Sequence, residues 1–178
     1  IVFTFNNGYA SGATAAQILE ARGMHATFYA SSGLLRQGAF WTAYLSAADL
    51  VNFTDRGHEI GSMTVDQPDL TTLSASALAA ELSNSQTGLA NITGKPVTNL
   101  ASPYGAVNAN VVSAAVSRYV SARSLSFNIN DFTLPQATLV HVPALLVTMA
   151  TSLASETTFG DCAVAPTTKE DAHRAARK

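Results

Sequence analysis

The sequence has a single cysteine, few charged residues and no long apolar run, and each shortage excludes a class of protein. Cys162 alone cannot form an internal disulfide or a cysteine-based metal cluster. Charged residues make up 12% of the chain and the net charge is -2, so no bulk attraction to nucleic acid or anionic lipid is expected. Apolar runs such as residues 144–150 are too short to span a bilayer. We therefore expect neither a nucleic-acid partner nor a membrane partner.

Lysine is also scarce, because only Lys95, Lys169 and Lys178 occur in 178 residues, whereas alanine, serine and threonine are abundant. This bias favours a secreted or extracellular protein. No signal peptide is visible, and the chain opens on a strand-like apolar run, as a mature or trimmed chain would. We expect a secreted protein whose signal peptide is absent from this chain.

Short apolar runs alternate with helical patterns along most of the sequence. With 47% hydrophobic residues, the chain can bury a substantial core in one domain, which we place at residues 1–160. Residues 161–178 are predicted to form a charged C-terminal tail. The alternation indicates an α/β fold with a parallel sheet or barrel. Strands are predicted at residues 1–5, 26–29, 59–62, 97–101, 120–123 and 139–147, and helices at 12–22, 47–56, from Ser74 onward, and at 108–118.

Polar residues follow three of these strands directly, at positions 6–9, 63–68 and 102–105. Parallel α/β folds bind ligands at the carboxyl ends of their strands, so these residues are the candidates for a site. They do not form a metal site unaided. Zinc in proteins takes about three nitrogen, sulfur or carboxylate ligands, whereas these segments offer amides, a thioether and the single carboxylate of Asp66.

Three segments resemble the motifs of a known family, in the right order. Residues 3–8 read Phe-Thr-Phe-Asn-Asn-Gly, similar to Thr-Phe-Asp-Asp-Gly. Residues 57–70 are similar to the pattern Gly-His-Glu-Ile-Gly-x-His-Thr-x-x-His-Pro-x-Leu, with Met63 and Gln67 at its two later histidines, and residues 103–105 read Pro-Tyr-Gly. These are the motifs of the polysaccharide deacetylases, the NodB-homology domains of carbohydrate esterase family 4, and the likeness extends over roughly residues 1–148. The resemblance implies a distorted, incomplete (β/α) barrel.

The sequence departs from the family pattern at the positions that carry out the family's chemistry. The resemblance puts Asn6 at the position of the catalytic base, and Asn7, Met63 and Gln67 at the three metal-ligand positions. A neutral amide cannot accept a proton near pH 7, and two amides with a thioether are poor ligands for a divalent metal. We therefore expect no metal and no other cofactor. The arginine that often precedes the third motif and a late histidine acid are not evident, since His141 comes earlier than that acid should.

The predicted pocket is walled by residues at the strand ends. Asp66 is a low-ranking catalytic candidate whose alternative role is to cap a turn before Pro68. Tyr104 either packs beneath the pocket floor or presents its hydroxyl to a sugar. His58 and Glu59 are expected to belong to the strand framework. The pocket residues predicted in this way are Asn6, Asn7, Met63, Asp66, Gln67, Pro103 and Tyr104.

Several functions remain open at this stage. The first is a deacetylase-like domain, inactive as a metal-dependent enzyme, that keeps a carbohydrate-binding or structural role. The alternatives are a metal-independent hydrolase of amide or cyclic-amide bonds on the same fold, and an engineered or decayed deacetylase. The expected ligand is a carbohydrate or a small amide. An open barrel edge would also suit a homodimer or a partner subunit that covers it.

Overall fold

The computed structural model describes residues 2–36 and 43–124, and the backbone alone of residues 141–143. Residues Val2–Leu145 form one compact unit. The predicted boundary at residue 160 and the predicted tail lie outside the described residues. No helix in the described ranges is long and apolar enough to cross a membrane.

A parallel sheet forms the centre of the fold. Its strands follow each other in chain order, so each strand pairs with the next one along the sequence. The strands are β1 (Phe3–Phe5), β2 (Ala26–Ala30), β3 (Glu59–Ser62), β4 (Asn99–Ala101), β5 (Ser121–Ser124) and β6 (His141–Pro143). The helices are α1 (Gly12–Glu20), α2 (Ala47–Asp55), α3 (Ala75–Thr93) and α4 (Ala109–Val116), with short 3₁₀ turns at Leu70–Thr72 and Pro103–Gly105.

The sheet is strongly curled. Three strands lie between β1 and β5 in the sheet. In a flat sheet the four strand-to-strand spacings would place β1 and β5 roughly 19 Å apart. The guanidinium of Arg123 on β5 nevertheless donates a hydrogen bond to the side chain of Asn6, which follows β1. The sheet therefore bends into an incomplete barrel, as the sequence predicted.

Side chains and a glycine cap the ends of several helices. The hydroxyl of Ser74 accepts from the backbone N–H of Ala77 and begins α3, and Gly94 ends that helix in the left-handed region with φ of 65°. At α2, Ser46 and Asp49 form a capping box. The N-cap of α4 is Asn108, which the sequence had placed inside the helix. Predicted and observed helix ends differ elsewhere by one or two residues.

Between the sheet and the helices lies the apolar core. Every residue of β2 is buried, as a strand with both faces covered should be. Phe28 stacks on Phe5 with ring centroids 4.8 Å apart and contacts Phe53 of α2 at 4.5 Å. Leu82 and Leu89 of α3 are fully buried against the sheet. This packing fixes the strands, and hence the loops at their carboxyl ends.

Candidate functional site

The loop after β1 needs its asparagine and glycine for conformational reasons. Asn7 and Gly8 both have left-handed backbones, with φ of 67° and 63°. Asparagine is among the few side chains that adopt this region readily. At Gly8 a Cβ atom would lie 3.3 Å from both Cα and Cβ of Ala30, so glycine also allows the close approach of β2. The turn directs Asn6 and Asn7 toward the carboxyl edge of the sheet.

The loop after β3 is held by hydrogen bonds from three directions. The hydroxyl of Ser31 donates to the carbonyl of Met63 at 2.8 Å. The carboxylate of Glu81 on α3 accepts from the backbone N–H of Val65 at 2.9 Å. Thr64 is a β-branched residue at φ of 65°, which costs about 1–3 kcal/mol. Its hydroxyl accepts from the backbone N–H of Gln67 at 3.1 Å, which helps to hold this unfavourable conformation.

These two loops meet at the predicted metal-ligand positions. The backbone N–H of Asn7 donates to the thioether sulfur of Met63 at 3.3 Å, and Met63 is only 5% exposed. The side-chain nitrogen Nε2 of Gln67 is buried and has no hydrogen-bond partner among the described residues. The sulfur at one ligand position is thus occupied as an acceptor, and a second ligand position presents an unpaired donor.

Arg123 is a residue of this site that the sequence analysis missed. Its side chain is 7% exposed, donates to Oδ1 of Asn6, and lies 4.5 Å from the centroid of the Tyr29 ring. Its Nε has no hydrogen-bond partner in the described ranges. Burial lowers the pKa of the guanidinium from its usual value, and burial likewise raises the pKa of the Tyr29 hydroxyl. The arginine expected before the third motif is absent, and one from β5 contacts the base position instead.

Sequence alone carried a signal for this arginine. Arg123 stands near the end of a predicted buried strand, where a charged side chain needs a specific partner. The rule that selected residues after the first, third and fourth strands did not select it, because Arg123 is the last residue of the predicted fifth strand and does not follow that strand. Its partner, Asn6, lies 117 residues away and could not be inferred from spacing.

The structure places Asp66 and Tyr104 on the outside of the site. Asp66 is exposed, and its carboxylate lies against Gly33. Tyr104 is 72% exposed at φ of 57°, so its ring does not pack beneath the pocket floor. Pro103 and Ser102 are buried there instead, and the hydroxyl of Ser102 donates to the carbonyl of Ala106 at 2.7 Å. Tyr104 therefore offers an open aromatic face at the rim.

His58 and Glu59 lie at the opposite, amino-terminal end of β3. His58 Nδ1 accepts from the backbone N–H of Ala26 at 3.1 Å, and its Nε2 lies 2.8 Å from a carboxylate oxygen of Glu20. Glu59 accepts from the hydroxyl of Thr27 at 2.6 Å. Both side chains thus connect neighbouring elements, which is the framework role that the sequence predicted. A cavity of about 240 Å³ that they line with Lys95 is remote from the strand carboxyl ends.

Gly61 is required because an aromatic ring lies directly over it. Gly61 pairs with Tyr29 across β2 and β3, and a Cβ on Gly61 would meet the Tyr29 ring at 2.5 Å. That ring in turn supports the Arg123 guanidinium. A side chain at position 61 would therefore disturb the site through Tyr29.

We expect Gly61→Ala to destabilise the domain by about 1–3 kcal/mol, the usual cost of overpacking a close-packed interior. Thermal unfolding followed by circular dichroism measures this. Gly88→Ala is the matched control, because Gly88 is helical and its Cβ would meet only Ser32 at ordinary contact distance. That control should be neutral or stabilising. Equal melting temperatures for the two variants would show that Tyr29 moves aside freely.

The comparisons with known proteins agree with this geometry. A curled parallel barrel with the three motifs at its carboxyl edge defines a deacetylase-type domain. The sequence model of the polysaccharide deacetylase family matches residues 1–120, and the chain belongs to this family. A chitin deacetylase from Pestalotiopsis sp is 31% identical over 112 residues, which are 62% of this chain and 36% of that protein. An uncharacterized protein from Geobacillus stearothermophilus is 32% identical over 101 residues, or 55% of this chain and 35% of that protein.

Solved structures show the same fold. A polysaccharide deacetylase from Bacillus cereus aligns with a TM-score of 0.73 at 23% identity, covering 80% of this chain and 45% of that one. A Streptococcus pyogenes deacetylase in complex with acetate aligns with a TM-score of 0.71 at 21% identity, covering 79% of this chain and 61% of that one. The chain spans about a third of the length of the curated relatives that it matches.

The residues at the family's metal position do not fit a divalent metal. Within the described ranges, no group of three or more histidine, cysteine, aspartate or glutamate side chains is close enough to hold an ion. The Met63 sulfur already accepts from Asn7, and Gln67 contributes a buried N–H donor. Neutral amides and a thioether are weak ligands for a divalent metal, because zinc in proteins takes imidazole, thiolate or carboxylate ligands.

Proposed function

We propose that this domain binds carbohydrate at the carboxyl ends of its strands without performing metal-dependent deacetylation. The main observation in support of this proposal is that Nε2 of Gln67 is buried and has no hydrogen-bond partner among the described residues. A buried donor without a partner is costly, and it is satisfied by a ligand oxygen. Sugar hydroxyls and acyl carbonyls supply such oxygens, whereas a metal cation does not.

The rest of the site suits the same class of ligand. Arg123 donates to Oδ1 of Asn6, which leaves the amide nitrogen of Asn6 to donate elsewhere. Tyr104 adds an exposed ring at the rim, and rings of this kind contact the apolar faces of ligands. Carbohydrate binding by an extracellular domain also agrees with the lysine-poor composition. The proposal needs no proton acceptor at position 6.

Two measurements test this function. Elemental analysis and calorimetric titration with zinc, nickel and cobalt should find no stoichiometric metal. Titration with N-acetylated chito-oligomers and xylan oligomers should detect binding that Gln67→Ala weakens about three- to tenfold, as the loss of one neutral hydrogen bond predicts.

Gln17→Ala is the matched control, since Gln17 is exposed on α1 and should leave affinity unchanged. Close to one metal per chain, lost on substitution of Gln67, would overturn the proposal. So would a Gln67→Ala variant that binds every saccharide as the unsubstituted chain does.

A further inference from the structure

We propose that the ligand of this site carries a carboxylate, which pairs with the guanidinium of Arg123. The inference rests on the proposed function and names the class of saccharide, one with acidic sugar residues. It starts from a buried cation, because Arg123 is 7% exposed. No carboxylate of the described residues forms an ion pair with it.

A buried charge is stable only when it is paired and hydrogen-bonded. Arg123 has only neutral compensations among the described residues: the oxygen of Asn6, and the ring face and hydroxyl of Tyr29. An amide oxygen is a weaker partner for a guanidinium than a carboxylate is, because it carries no full negative charge and offers one oxygen where a carboxylate offers two for a bidentate pair. Both loop positions after β1, Asn6 and Asn7, are uncharged amides. Among the described residues, the site therefore has a positive charge and no carboxylate that pairs with it.

The unpaired donors indicate how a carboxylate would bind. A guanidinium has five N–H donors in a planar fork that matches the two oxygens of a carboxylate. Nε of Arg123 belongs to that fork and has no partner among the described residues, and neither has Nε2 of Gln67. A carboxylate accepts up to about four hydrogen bonds, so a single acidic group can accept from Nε of Arg123 and from a second donor of the same guanidinium.

Carboxylate can come from two sources, a uronic acid residue in a polysaccharide or a small free acid such as acetate. Three probes separate them: trigalacturonate, the neutral trimer of N-acetylglucosamine, and sodium acetate. In calorimetric titrations at low ionic strength we expect trigalacturonate to bind about ten- to hundredfold more tightly than the neutral trimer. Acetate should compete with trigalacturonate. Added salt should weaken the acidic ligand more than the neutral one.

Asn6→Asp provides the decisive variant, because it places a carboxylate of the chain itself against Arg123 with almost no change of shape. This internal carboxylate should remove the preference for trigalacturonate. The ratio of the affinity for trigalacturonate to the affinity for the neutral trimer should fall at least tenfold. Asn84→Asp is the matched control, since Asn84 is exposed on α3 and gives the same change of charge away from the site. Circular dichroism verifies that both variants are folded.

The outcomes separate this inference from the proposed function. Equal affinity for both trimers, or an Asn6→Asp variant with its preference intact, would overturn the carboxylate assignment and leave carbohydrate binding standing. Binding of acetate but of neither trimer would overturn carbohydrate binding and retain the carboxylate site. If none of the three probes binds, both proposals are wrong.

Discussion

Four substitutions, Asn6→Asp, Asn7→Asp, Met63→His and Gln67→His, should convert this pocket into a zinc site with a dissociation constant below about 1 μM, or about 8 kcal/mol of binding free energy. The loop geometry supports this. Position 7 has φ of 67° and position 67 has φ of 58°, and aspartate and histidine are among the residues that adopt such left-handed conformations most readily. Ser31 and Glu81 hold the second loop independently of the side chains that change. Zinc titration calorimetry measures the effect.

A triple variant that keeps Asn7 is the matched control. It supplies both histidines but lacks the carboxylate ligand, so it should bind zinc at least tenfold more weakly, since one ligand of three is missing. A quadruple variant that folds normally and binds no zinc would show that the two loops are displaced from a metal-binding arrangement. In that case the family membership would describe ancestry without a recoverable site.

Acetate release by the quadruple variant should return only weakly. Arg123 already contacts position 6 and would orient an aspartate introduced there. The two native histidines whose side chains are described, His25 and His58, contact each other away from the strand carboxyl ends. General acid catalysis contributes about 10²–10⁴-fold, so a site without an acid should be slow.

Sequence reasoning was most successful where structure depends on neighbours in the chain. Strand β3 was predicted without error, and the N-cap of α3 at Ser74 followed from local hydrogen-bonding chemistry. The carboxyl-edge rule placed Asn7 and Met63 in one site, and the structure brings them into contact at 3.3 Å. The roles predicted for the pocket residues in binding or catalysis stay predictions.

The parts that the sequence did not reveal depend on the curvature of the sheet and on single backbone angles. Arg123 reaches Asn6 only because β5 curls toward β1, and no local pattern encodes the extent of that curl. Tyr104 has φ of 57° and is 72% exposed, which excludes the first of its two predicted roles, packing beneath the pocket floor. Thr64 is a third case, since a β-branched residue rarely adopts a left-handed backbone.

Single aspartate substitutions at the two adjacent asparagines should change stability in opposite directions. Asn6→Asp should stabilise the domain by about 1–2 kcal/mol at pH 7, because it gives a buried guanidinium, which has only neutral partners among the described residues, a charged acceptor in place of a neutral one. Arg123 is already desolvated in the folded chain, so only the half-buried carboxylate adds a desolvation cost. Asn7→Asp should destabilise by a similar amount, since a half-buried carboxylate at position 7 is partly desolvated and the described hydrogen bond of this residue, to the Met63 sulfur, is made by its backbone N–H.

The pH dependence distinguishes the two effects. At position 6 the guanidinium lowers the pKa of the aspartate in the folded state, so its stabilisation is complete above the unfolded pKa of about 3.9 and is lost as pH falls through the lower folded value. At position 7 partial burial raises the pKa of the introduced aspartate in the folded state above its unfolded value of about 3.9. The destabilisation therefore grows as pH rises from the unfolded pKa through the higher folded pKa, and it vanishes in acid. Urea unfolding at pH 3, 5 and 7 measures both, with Asn84→Asp as the control. If Asn6→Asp lowers stability at pH 7, the Arg123 charge is already balanced, and the electrostatic account of this pocket is wrong.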